Sequence, residues 1–333
     1  MVRLIVVILV VALGWMIWWA FGSTALDRSL TNWVETRRAD GWAADVGDIE
    51  VNGFPNRFDT TLTDVRFADP DTGVSWSAPF LQILSLAYRP NQVIAALPNE
   101  HTLSTPLQTL DFTNSQARGS IYLQASPSLP LDRSSIVVDE LKVASSKGWD
   151  AGMAQARFAT ELVPARKNAH RIGAEILELQ IAKALKNTLD PAGILPDAIE
   201  RLHFDADVGL TGPLDRHVIE DARPQITDID LRSLAAAWGD VNFKAVGKVT
   251  VDEAGTPTGE LTVKAVEWRR LLTMAVETGV LPEAFAPSVE RSLELLAALK
   301  GPPDTIDATL EFRGGLTYLG LIPIGPAPDL TIR

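Results

Sequence analysis

From Leu4 to Phe21 every position is apolar, and after that run the spacing of apolar residues changes twice, first to a helical period and then to a period of two. The run holds eighteen residues without a charge. At about 1.5 Å of rise each they form a helix of roughly 27 Å, close to the ~30 Å hydrocarbon layer of a bilayer. A core helix would show one apolar stripe, whereas this one is apolar all round, which predicts a membrane span. Trp15, Trp18 and Trp19 close the run with amphipathic rings suited to the membrane interface. Arg3 and the small residues Ser23, Thr24 and Ala25 also fit a cleaved secretory signal. The apolar region of a signal is only about 7–15 residues, so the length favours a retained anchor. Ala25, Leu26, Leu30, Trp33 and Val34 then recur at helical spacing among charged residues, which predicts that the helix continues as a stalk to about Arg38.

Beyond the stalk the period is two. Phe58, Thr60 and Leu62 alternate with polar neighbours up to the turn signal Asp69-Pro70-Asp71-Thr72-Gly73, and two strands are expected at 74–78 and 80–88. The clearest alternation comes later. Leu202, Phe204, Ala206, Val208 and Leu210 share one face against His203, Asp205 and Asp207. Val241, Phe243, Ala245, Val249 and Val251 repeat the pattern, as do Leu261, Val263 and Ala265, and then Ile306, Ala308, Leu310 and Phe312. Strands with one wet face belong to antiparallel sheets, not to the doubly buried parallel sheets of nucleotide-binding folds. Residues 253–259 read as a hairpin turn.

Helices are expected at Trp268–Thr278, ended by Gly279, and at Pro287–Lys300, ended by Gly301, the latter with a stripe of Val289, Leu293, Leu296 and Leu299. A third is expected over Ala182–Leu189 and a short one after Pro196. The expected fold is α+β and β-rich: residues 1–38 as anchor and stalk, and residues 39–333 as an elongated, curved antiparallel sheet with a few packed helices, subdivided near 180–200.

The chain carries a net charge of −12, and the part after the anchor, without Arg3, carries about −13, which excludes nucleic acid as a partner. Cysteine is absent and does not assign a compartment, because large domains fold without disulfides on either side of a membrane. Orientation signals conflict. Arg28, Arg37 and Arg38 outnumber Arg3, yet the three-residue, positively charged tail is the usual arrangement of a signal-anchor that delivers the body across the membrane, and that reading is preferred.

No nucleophile elbow, phosphate loop, dinucleotide fingerprint or HExxH pattern occurs, and His101, His170, His203 and His217 lie at no metal-ligand spacing. No cofactor and no metal are expected. For a hydrolase the candidates are Asp205 and Asp207 beside His203, or Asp228 and Asp230; against this, alternating strands place such residues towards water in any case. Trp42, Trp76, Trp149, Trp238 and Trp268 either pack in the core or line a groove for an apolar ligand, with Trp76, Trp149 and Trp238 the candidates for that surface. The apolar tail 316–328 contains Pro323, Pro326 and Pro328 and is expected to be a last strand with an extended end.

The stretches Val51-Asn52-Gly53-Phe54-Pro55-Asn56-Arg57-Phe58, Trp76-Ser77-Ala78-Pro79, Trp238-Gly239 through Gly247 to 252–261, and the closing 321–328 resemble an uncharacterised family of Gram-negative envelope proteins known only as a domain of unknown function. The resemblance implies a single-pass inner-membrane protein with a periplasmic body. In plan the chain is also similar to AsmA-like envelope proteins, whose curved β-grooves are implicated in lipid movement. The expected function is non-enzymatic: binding of a lipid or other apolar envelope component on a concave sheet surface. The alternative is a structural adaptor in an envelope complex. In both, residues 4–21 bind the bilayer.

Overall fold

The computed structural model describes residues 1–217, 223–300, 302–320 and 322–332, the side chains of Leu299 and Lys300 excepted. Gly301 and Leu321, and the side chain of Leu299, therefore lie outside the described residues. Strands make up 51% of the chain, so the β-rich α+β expectation holds. Two compact units divide it, Met1–Ala125 with Ile136–Trp149, and Ser126–Ser135 with Asp150–Arg333; residues 180–200 lie inside the second.

In the first unit α1 (Val2–Ala39) is one continuous helix, as the change from uniform to striped apolarity predicts. Its last turns lie on the sheet instead of standing free. Val34 is buried, Trp33 meets Phe67 edge-on at 5.4 Å, and Arg38 Nε donates to the Ala44 carbonyl at 2.6 Å. The sheet begins with β1 (Ala43–Asp45) and β2 (Asp48–Asn52), both antiparallel to β3 (Arg57–Asp69), which pairs along its length with β4 (Val74–Leu86). One end of β4 pairs with β5 (Arg89–Leu97), which continues to β8 (Gln116–Leu123). The other end pairs with β6 (Glu100–Ser104), which leads to β7 (Thr109–Thr113) and on to β9 (Leu131–Ser145).

β4 is a single strand where two were expected. Pro79 offers no N–H to the ladder, but it and Asp64 fall between the paired Thr63–Phe80 and Val65–Ala78, where no ladder bond is required. Asp64 takes a left-handed backbone, φ 48°, and the buried positions of β3 pass from Phe58, Thr60 and Leu62 to Val65.

The second unit is an antiparallel meander of β10 (Asp150–Leu162), β11 (Ala169–Gln180), β12 (Ala198–Leu210), β13 (Ile226–Trp238), β14 (Val241–Val251), β15 (Pro257–Val266), β16 (Thr305–Arg313), β17 (Leu316–Leu319) and β18 (Ile322–Pro326), each paired with the next. α2 (Lys183–Leu189) joins β11 to β12. α3 (Trp268–Glu277), a single 3₁₀ turn and α4 (Ala286–Lys300) join β15 to β16. No helix follows Pro196: its carbonyl accepts from Trp238 Nε1 at 2.9 Å and Ala198 already pairs with Gln180, so the chain runs straight into β12.

The alternation read from the sequence assembles the core of this unit. Ala206 faces Leu231, Ala245 faces Val263, and Val263 faces Ala308, all on one side of the sheet. Gly247 and Gly259 let β14 and β15 approach closely: a Cβ on Gly247 would stand 2.2 Å from the Glu260 carbonyl oxygen, and its φ of +150° suits glycine alone.

Candidate functional site

The helices inserted between β15 and β16 fold over the apolar face of the sheet. Trp268 starts α3 from a left-handed Glu267 (φ 57°); its ring is 2% exposed, its indole N–H donates to the Pro303 carbonyl at 3.0 Å, and the Arg269 guanidinium lies 4.3 Å over it. Trp268, Ala265, Ala297 and Ile306 form a packed cluster that fixes one side of the helix pair. An ion pair of Arg269 and Glu294 at 3.2 Å links α3 to α4.

Next to that cluster the helices leave a cavity of about 650 Å³ above β14 to β18. Its walls include Phe243, Leu271, Val289, Leu310, Phe312 and Ile324, and among the described residues no charged side chain lines it. Its one side-chain hydroxyl, on Thr317, donates to the Pro326 carbonyl at 3.2 Å. Val280, at the rim, is 80% exposed. The volume falls within the usual range for small-molecule sites, about 300–1,000 Å³, but the polar anchoring groups usual in such sites are missing. The arrangement can hold an apolar ligand by contact.

The opposite face is polar and paired. Arg171 grips Asp205 with two bonds, 2.8 and 2.7 Å; Arg232 Nη2 donates to Asp207 at 2.6 Å; Lys248 meets Asp230 at 2.7 Å; Arg166 pairs with Asp228. The hydrogen bond from Arg171 holds the Asp205 carboxyl below the usual carboxylate range and raises the guanidinium in turn. His203 lies 4.0 Å from Glu175, and with Asp205 it borders a depression of about 330 Å³. The structure thus brings the hydrolase candidates onto one face and gives each carboxylate a cationic partner, three across neighbouring strands and one, at Asp228, from Arg166 in the connection between β10 and β11. Among the described residues no three His, Asp or Glu side chains converge as a metal site.

The tryptophan candidates occupy three settings. Trp238 is 5% exposed and packs with Leu195 and Val241. Trp149 donates to Gln108 Oε1 at 3.0 Å. Trp76 belongs to a half-buried stripe in which Trp33, Phe67, Trp76, His101 and Phe112 touch in succession across α1, β3, β4, β6 and β7. Burial of His101 within that stripe lowers its pKa. None of the three lines the cavity, whereas Trp268 does. Trp15, Trp18 and Trp19 donate their indole N–H groups to the carbonyls of Pro55, Ala87 and Arg57 at 2.8, 3.2 and 2.8 Å. The sequence pattern announced α3 and α4 and the strands beneath them. The opening between them was not announced, because it depends on how far the helices stand off the sheet.

No curated protein and no solved structure matches the chain. A family model described as an uncharacterised protein conserved in bacteria, DUF2125, matches residues 19–328, which takes in almost the whole body; the chain belongs to that family.

Proposed function

We propose that this protein is a membrane-anchored, non-enzymatic binding protein that accepts an apolar ligand, in the first place a lipid acyl chain, in the cavity under α3 and α4. The observation that carries the reading is the lining of that cavity: large apolar surface and, among the described residues, no charge and one hydroxyl that is already bonded. Burial of each methylene of a chain there contributes about 0.8 kcal/mol. α1 is long and apolar enough to cross a membrane and supplies the anchor. Placement in the inner membrane with a periplasmic body, a role in the cell envelope and an AsmA-like plan belong to this proposal; the apolar length of α1 supports its membrane part.

Native mass spectrometry of the full chain, extracted in mild detergent, tests it. A lipid-sized adduct is expected on the native protein, and its loss is expected in Ala275→Trp, which fills the cavity from α3. A native chain that carries no lipid and binds no added fatty acid would sink the proposal, as would undiminished binding by a folded Ala275→Trp.

A further inference from the structure

The anchor and the first unit meet at a place that fixes how deep the body sits. The contacts of Trp15, Trp18 and Trp19 seat α1 against two turns, residues 53–56 between β2 and β3 with the first residue of β3, Arg57, and residues 87–88 between β4 and β5. Trp19 also packs edge-on against Phe54 at 5.4 Å and stacks on Phe58 at 6.2 Å. The part of the apolar run clear of these turns is therefore Leu4 to Gly14. Its eleven residues measure about 17 Å, well short of a hydrocarbon layer of about 30 Å. The remaining stretch, Trp15 to Phe21, adds about 10 Å, and it lies alongside the turns.

We propose that the two turns enter the membrane interface with α1, so that Phe54 and Tyr88 dip into the lipid of the bilayer that the helix crosses. Both rings are exposed, 52% and 57%. They lie at the level of the three tryptophans, the residue type that favours this zone. The turn carbonyls of Pro55, Arg57 and Ala87 would be costly to bring into a region poor in water, and the indole N–H groups already satisfy them. The Ala87 N–H is likewise bonded, to the Asn56 carbonyl at 2.9 Å. Asn56, Arg57, whose Nε donates to Asp59 at 2.9 Å, and Arg89 are exposed around the rings, and the long side chain of Arg89 can reach back to water at the headgroup boundary.

The absence of cysteine permits a direct test. Single-cysteine forms of the full chain, Asn56→Cys, Tyr88→Cys and Leu107→Cys, are labelled with an environment-sensitive fluorophore and reconstituted into phosphatidylcholine vesicles containing nitroxide-labelled lipid. Leu107 is 77% exposed, and its neighbour Pro106 touches Gly73 at the opposite end of β3 and β4, so it serves as the distant control. Blue-shifted emission and roughly twofold quenching at 56 and 88, with neither at 107, are expected for residues at interfacial depth. Labels at 56 and 88 that behave like the one at 107 would overturn the proposal. A fourth form, Asn56→Cys with Phe54→Ser and Tyr88→Ser, is expected to lose most of its quenching; unchanged quenching would show that the rings do not hold the turn there.

Discussion

Gly22 decides whether α1 is seated on the sheet, and the answer can be measured. In an exposed helix interior, Gly→Ala stabilises by about 1 kcal/mol. Here a Cβ on Gly22 would lie 2.6 Å from Cζ of Phe58, with two further ring carbons at 3.3 and 3.4 Å. Carbon pairs prefer about 3.5–4.0 Å, so the ring or the helix must move by close to 1 Å. Phe58 is 5% exposed and its ring stacks on Trp19, which leaves it little room to turn. Overpacking of this kind costs about 1–3 kcal/mol, so Gly22→Ala is expected to end at a net loss of about 0–2 kcal/mol, opposite in sign to the helix propensity. A double-mutant cycle with Phe58→Leu removes the ambiguity. Phe58→Leu alone loses core contact, but it also opens space for the new methyl, so the pair should be more stable than additivity predicts by about 1 kcal/mol or more. Thermal unfolding of the full chain in detergent micelles, followed by near-ultraviolet circular dichroism, reads this as roughly 4 °C per kcal/mol. A full 1 kcal/mol gain for Gly22→Ala with additive behaviour would refute the seating of α1 on Phe58.

Gly247→Ala should destabilise the second unit by about 2–4 kcal/mol in denaturant unfolding, because a Cβ there meets the Glu260 carbonyl; Gly315→Ala, at φ +75° with open space, should cost only about 1 kcal/mol. Burial lowers the pKa of His101 and of His170 from 6.5, so the unfolded chain binds protons first as the pH falls. Stability should therefore be highest above about pH 6.5 and decline below it until the folded-state values are passed, and His101→Phe should reduce that decline in unfolding curves measured from pH 7.5 to 5. Arg171→Ala should move the Asp205 carboxyl back up towards 3.8, as followed by carbon NMR, while changing stability by no more than about 1 kcal/mol, since the arginine is half exposed.

The sequence pattern carried the strands of the second unit because the buried face stays in phase across neighbouring strands: Phe204, Ala206 and Val208 on β12, Ala245 on β14 and Val263 on β15 all reach the core that their spacing predicts. It carried α1, α3 and α4 for the same reason at the helical period. It failed where a local rule met a tertiary partner. Pro79 reads as a strand break but falls at an unpaired step, and Pro196 reads as a helix start but its carbonyl is taken by Trp238. The three terminal tryptophans of the apolar run read as interface residues, and nothing in spacing alone could tell that turn carbonyls some forty to seventy positions later would accept their N–H groups.

The cavity under α3 and α4 is what most separates this sheet from a plain scaffold. It opens to solvent at the rim, where Val280 is exposed, so it is not a sealed void, but its apolar walls gain little from the water they admit. A buried water needs two to four polar partners, and the one side-chain hydroxyl among the described lining residues, that of Thr317, already donates to a backbone carbonyl. Small side chains at Ala265, Ala275, Ala308 and Ala327 leave the space that larger ones would have filled. An acyl chain would restore the contacts that water does not provide and would leave no polar group unpaired. The same substitution that tests binding thus also tests this reasoning: Ala275→Trp should raise the unfolding temperature of lipid-free protein while abolishing the adduct, whereas a destabilised, lipid-binding variant would show that the space is neither costly nor used.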